Sequence, residues 1–240
     1  MYLKLFKKTL CAAGAVAAIV ALTGCSFGNS VKLKDSNRTF ENAAFTKIDA
    51  YIDWGKFTLS SSDDENVYVV AKDVPDTFKT EIVNGVLVVD FNPKSNTSKP
   101  RKANTNVIVK VPAKDYADFN LDFGAGDSFI ENLTCSKITI NCGAGKLEAK
   151  NITTDSKVKV DGGTGSIKIL ESTIGGLDAN LGVGEFLFTG TINGNISLDC
   201  GIGNATLNLE NPESDFVGSN KKYSLNNNSG IGKITITYKN

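Results

Sequence analysis

The sequence predicts an all-β protein, a parallel β-solenoid built from coils of 19 or 20 residues and opened by a β-rich capping segment. Two observations carry this expectation. A Gly-x-Gly phrase returns at Gly124-Ala125-Gly126, Gly143-Ala144-Gly145, Gly163-Thr164-Gly165, Gly182-Val183-Gly184 and Gly201-Ile202-Gly203, in steps of 19, 20, 19 and 19 residues. A sixth copy, Gly230-Ile231-Gly232, follows after 29. Around each phrase, apolar residues alternate with polar ones, the period of a half-buried strand and not of a helix. A unit that repeats at fixed spacing and cannot bury its apolar face alone must stack on its neighbours.

Counting from the second glycine, apolar residues fall at −7, −5, −3, +2 and +4. One coil gives Ile138, Ile140, Cys142, Leu147 and Ala149; a later one gives Leu177, Ala179, Leu181, Phe186 and Phe188. The pattern describes two strands per coil joined at a glycine corner, where the chain turns sharply and glycine tolerates φ > 0. The same template finds a coil centred on Gly55, with Ile48, Ala50, Ile52, Phe57 and Leu59 inward. In the last coil Asn227 and Ser229 replace apolar residues, as suits a terminal unit. Equivalent strands should stack in parallel at about 4.8 Å. The right-handed preference of parallel crossovers extends to a right-handed coil.

In chain order, residues 1–24 begin with Lys4, Lys7 and Lys8, continue through an apolar run near Leu10–Leu22, and lead into Cys25 through Leu22-Thr23-Gly24. This reads as a secretory signal, too short for a membrane span, and its end matches the bacterial lipobox. That match implies diacylglyceryl attachment at Cys25 and a mature chain lipid-anchored on the extracellular face of the cell membrane. Removing residues 1–24 takes away three lysines and no acid, leaving a net charge of −3. A mildly acidic chain without a concentrated basic face is not expected to bind nucleic acid.

Residues 25–40 have little apolar content and read as a lipidated N-terminus and flexible tether. Residues 41–115 read as the opening segment, whose strands cover the first edge of the solenoid; Asn84-Gly85 is a two-residue hairpin signal. Residues 116–240 hold the coils. Two loops interrupt the pattern. One carries Lys94, Lys99, Arg101 and Lys102, a candidate contact for an anionic cell-wall polymer or lipid head groups, or simply a solvated loop. The other, about 210–223, accounts for the longer last step, and such insertions emerge on one face and often bind.

With the lipobox, the Val109-Lys110-Val111-Pro112 strand and the glycine-punctuated coils together, the chain from about Phe45 to Tyr238 resembles the bacterial β-strand-repeat "putative adhesin" family, a domain of unknown function common in envelope lipoproteins of Gram-positive bacteria. The resemblance implies an extracellular β-solenoid with a role in adhesion or in sensing envelope stress. It supplies no catalytic residues.

The chain has no histidine, which removes Ser-His-Asp and Cys-His catalysis and the commonest transition-metal ligand. Arg38 and Arg101 are the mature chain's only arginines, and neither lies in the glycine coils, so an enzyme acting on envelope glycans is a distant reading. Cys142 and Cys200 share one repeat position three coils apart, about 14 Å, too far for a disulfide. Position −4, facing outward, reads Asp122, Asn141, Asp161, Asn180, Asp199 and Asn228. Stacked, these form a column in which amides separate carboxylates that would otherwise repel at about 5 Å. Its first reading is a structural hydrogen-bond ladder; the alternative is a weak Ca²⁺ or carbohydrate strip. No cofactor and no dedicated metal site are expected. The sequence thus points to a non-enzymatic cell-surface lipoprotein acting as an adhesin or binding scaffold, with membrane, cell-wall polymer or envelope protein as partners. The alternative is an envelope-stress sensor working through a protein partner.

Overall fold

The computed structural model describes residues 18–19, 33–91 and 104–239. Its strands are β1 (Ala18–Ile19), β2 (Leu33–Phe40), β3 (Lys47–Ser62), β4 (Val67–Pro75), β5 (Lys79–Val83), β6 (Val86–Phe91), β7 (Asn106–Pro112), β8 (Asp115–Ile192), β9 (Ile196–Leu209) and β10 (Leu225–Thr237). The 78-residue β8 is a single extended chain winding through four turns of the repeat. The fold is the parallel β-solenoid the periodicity calls for.

Register follows the glycines. Gly55 pairs with Gly126, Gly184 with Gly203, and Gly232 again with Gly203, all in parallel. Inward positions are buried as the template requires. Phe57, Phe119, Phe186 and Phe188 are fully enclosed in one core that runs the length of the stack. Burying each such side chain contributes roughly 1.5–3 kcal/mol. Leu225, Ile234 and Ile236 of the last coil are only half-buried, since among the described residues no further coil lies over them.

The coil has a third face that the template misses. Beyond +4 the chain turns again at Asn132, Asn151 and Glu171, all with φ between +51° and +58°. A left-handed residue shifts the alternation by one, so Leu133 and Cys135, Ile152 and Thr154, then Ser172 and Ile174 point inward. Polar residues on this face are satisfied locally. The Ser172 hydroxyl donates to the Leu170 carbonyl (2.8 Å) and accepts from the Ile152 N–H (3.1 Å), and Thr154 donates to the Ser136 carbonyl (3.0 Å). Asn151 donates to the Asn132 side-chain oxygen at 2.9 Å, tying adjacent corners together.

The layers of the opening segment do not stack in chain order. β3 forms the first coil, but the layer on its free side comes from two strands further along the chain. β6 pairs in parallel with its first arm, from Lys47 to Ile52, and β7 with its second, from Lys56 to Ser62. β6 and β7 together stand in for one more coil, so β3 is enclosed on both sides. β4 then runs antiparallel to β7, and β5 antiparallel to β6 as the expected Asn84-Gly85 hairpin. β2 lies antiparallel to β4, and β1 pairs with Asn37 and Arg38 of β2. The tether expected over 25–40 is therefore corrected at its end: residues 33–40 form an edge strand. Its polar composition suits a strand with one edge outward, and Phe40 alone is buried.

The 210–223 insertion is pinned to the stack at Asn211, Asp215 and Phe216, which are buried, while residues 217–222 are exposed. Phe216 is buried against Tyr223 and Tyr238, with ring centroids 5.6 and 6.3 Å away. The Asp215 carbonyl accepts the N–H groups of Lys222 and Tyr223, both at 3.0 Å, and its carboxylate meets the Lys222 ammonium at 2.8 Å. The hydrogen bond from Lys222 holds the Asp215 carboxyl below its ordinary 3.8. A depressed carboxyl stabilises the fold above its ordinary value and loses that contribution as pH falls through the lowered one. Lys222→Met is accordingly expected to reduce the melting temperature at neutral pH, and the difference from wild type should vanish in strong acid, as thermal melts across pH will show.

Candidate binding face

On the first arm of every coil, residues at −8, −6 and −4 point outward and stack into three columns. The −4 column is the one the sequence singles out. Asp122 lies beside Tyr51 of the first coil, Asn180 beside Asp199, and Asn228 beside Asp199 on the far side. Below Tyr51 the column continues to Asp90 of β6. Asp122, Asn141, Asp161, Asn180 and Asp199, with the first glycines Gly124, Gly143, Gly163 and Gly182, line one open trough along the stack. The glycines lack side chains, so nothing walls off the column on the corner side.

The Asn180 amide donates to Asp161 at 3.3 Å, the amide-to-carboxylate bond expected of alternating Asp and Asn. The trough is an acceptor-rich strip on a rigid sheet. Among the described residues, no three His, Cys, Asp or Glu side chains converge as a metal cluster would require. At the trough's lower end, Tyr51 is 36% exposed, and Asn120 donates to its hydroxyl at 3.2 Å. Partial burial, then the nearby Asp49 and Asp122, raise the Tyr51 phenol. Asp49 is itself raised, first by burial and then by Asp118, with Lys47 opposing. The neighbouring columns carry compensating pairs, Lys137 with Asp118 at 3.5 Å and Lys157 with Asp178 at 3.7 Å. Such exposed bridges contribute little stability but keep the face mixed in charge.

The structure thus brings the six Asx residues into one column, five of them in a single trough. Cys25 and the basic residues Lys94, Lys99, Arg101 and Lys102 lie outside the described residues. Cys135, Cys142 and Cys200 are free and buried, and burial pushes the Cys135 thiol up to about 12, so it is inert as a nucleophile. Tyr51 was missed as part of the face, although its place at −4 from Gly55 signals it. So was a ridge on the corner itself: the middle residues of successive Gly-x-Gly phrases change from Ala125, Ala144 and Thr164 to Val183, Ile202 and Ile231, the last three being 45%, 49% and 70% exposed.

Residues 109–224 match the family model described as Toastrack DUF4097. That span of the chain is similar to the Toastrack family. The matched span runs from β7 through the glycine coils into the insertion, and so includes the trough. Among solved structures, the chain is similar to a "putative cell adhesion protein" from Clostridium sporogenes, with 14% identity and a TM-score of 0.51, covering 87% of this chain and 100% of that one. A "putative adhesin" from Bacteroides fragilis shares 18% identity with a TM-score of 0.45, covering 88% and 100%. At these identities the likeness to the first concerns the fold alone. No curated protein matches the chain.

Proposed function

We propose that this protein is a non-enzymatic binding scaffold of adhesin type, anchored through a lipid on Cys25 to the outside of the cell membrane. The observation that carries the reading is the trough. A parallel, hydrogen-bonded sheet holds acceptors in one column at a repeat of about 4.8 Å, which suits an extended polymer better than a compact small molecule. Its ligand chemistry is that of an envelope polymer rich in hydroxyl or ammonium donors, because the column offers carboxylates and amides. The Clostridium sporogenes protein of similar fold is described as a "putative cell adhesion protein", which agrees with this reading. The lipobox at Leu22–Cys25 supports the anchor, and the basic residues between Lys94 and Lys102 offer a second, oppositely charged contact.

The experiment is a partition of the secreted chain between purified cell-wall and membrane fractions. It compares wild type with a triple Asp122→Ala, Asp161→Ala, Asp199→Ala variant and with Lys94, Lys99, Arg101 and Lys102 changed to Ser. Wall binding that drops several-fold in the triple variant is expected. Binding lost only in the basic-loop variant would move the site to that loop. Retention of one defined membrane protein with no wall binding would replace the adhesin reading by the partner-dependent sensor.

A further inference from the structure

The two ends of the solenoid are treated differently. At the opening end, antiparallel strands cover the stack, with β4 and β5 laid over the layer made by β7 and β6. At the other end, β10 pairs with β9, and among the described residues no strand pairs with its second edge. β10 is 13 residues long, contains no proline and carries one charge, Lys233. Apart from that single lysine it lacks the devices by which proteins usually blunt an exposed edge. Its side chains also await a cover: Leu225, Ile234 and Ile236 are half-exposed at inward positions, Ile231 is 70% exposed at the corner, and the Ser229 hydroxyl is buried with no hydrogen-bond partner.

We propose that β10 is a dimerisation edge, on which a second copy of this chain docks end to end about a two-fold axis through the Gly230-Ile231 corner. The corner decides the occupant. The edge bends there, so a straight strand could pair along one arm only, whereas another coil with the same corner can follow both. A two-fold axis at the corner lays the first arm of one copy antiparallel on the second arm of the other. Inward positions are −7, −5 and −3 on the first arm but +2 and +4 on the second, so the alternation changes phase across the corner. That phase change is what an antiparallel, two-fold pairing requires for inward residues to meet inward residues. Leu225 then faces Ile236 of the second copy, and Asn227 faces Ile234, each contact occurring twice. Charge agrees with the arrangement. Lys233 falls opposite Asn228 of the second copy, so the only charges on the edge do not meet.

The pairing makes a prediction that a merely sticky end would not. Asn228 and Lys233 are both exposed, so changing them should leave the fold intact. Sedimentation of the secreted chain from about 1 to about 100 μM is expected to show a monomer–dimer equilibrium. Asn228→Lys sets two lysines against each other at both symmetric positions and should weaken the dimer roughly tenfold. Adding Lys233→Glu converts both repulsions into attractions and should restore it. A chain that stays monomeric throughout, or that captures an added strand peptide instead of itself, overturns the proposal. So does a dimer that ignores both variants, or one weakened by Asn228→Lys and not rescued.

Discussion

Gly184→Ala is expected to lower the unfolding free energy by about 4 kcal/mol, a loss large against the stability of most domains. Two causes add. Gly184 has φ +145°, a conformation L side chains rarely adopt, and a Cβ there would lie 1.8 Å from the Gly165 carbonyl oxygen. That oxygen is backbone in the adjacent coil, so relief requires prising two layers of the ladder apart. Close approach of stacked corners, and not freedom in a turn alone, is why the repeat demands glycine. Gly85→Ala is the control: φ is +78°, but nothing lies within 4 Å of the added atom. It should cost about 1 kcal/mol from backbone strain alone. Denaturant titrations of the two variants separate the causes, and equal losses would show that packing of the corners contributes nothing.

Asn211→Ala should cost about 3 kcal/mol and open the insertion. The third face ends with the layer that closes at Ile192: one coil later, after Leu209, the chain departs into residues 210–223, and among the described residues no strand pairs with Ile192 from that side. Asn211, buried, completes the ladder with its side chain: its oxygen accepts the Ile192 N–H at 2.8 Å, and its nitrogen donates to the Ile192 carbonyl at 3.2 Å. The side-chain amide substitutes for the peptide group of a missing coil. The same nitrogen lies 3.4 Å from Asp215, linking the ladder's end to the turn that buries Phe216. Alanine leaves both Ile192 groups unpaired in a buried site. The checks are faster hydrogen exchange at the Ile192 amide and proteolytic cleavage within 212–222. Asn211→Asp should not rescue, because a carboxylate cannot donate and would sit beside Asp215.

What could be read in advance depended on how local the signal was. The glycine phrase and the period-two alternation lie within a few residues of each other, so coil register, the inward set and even the degenerate coil at Gly55 were legible. The Asx column followed from register alone. The layer order at the opening end was not legible, because β3, β6 and β7 carry the same apolar alternation and would satisfy several stackings equally well. The third face was hidden by its corner residue. Asn132, Asn151 and Glu171 are not glycine, and the one-residue phase shift they impose ends the simple template at +4. The recurrence of Asn132 and Asn151 at the coil spacing was the available sign. Residues 33–40 looked like tether because an edge strand can be polar on nearly every residue and still be held by backbone bonds.

The binding face exists only if identical coils stack in register, with the Asx column straight along one side. The most direct measurement is the distance between nitroxide labels placed on that column, at Asp122 with Asp199 and at Asp122 with Asn228. Four layers should give about 19 Å between backbone positions and five about 24 Å, one strand spacing apart, despite the ten extra residues before the last coil. A separation that instead grows with the number of intervening residues, or shrinks on passing the insertion, would contradict the stacked column and the binding face built on it.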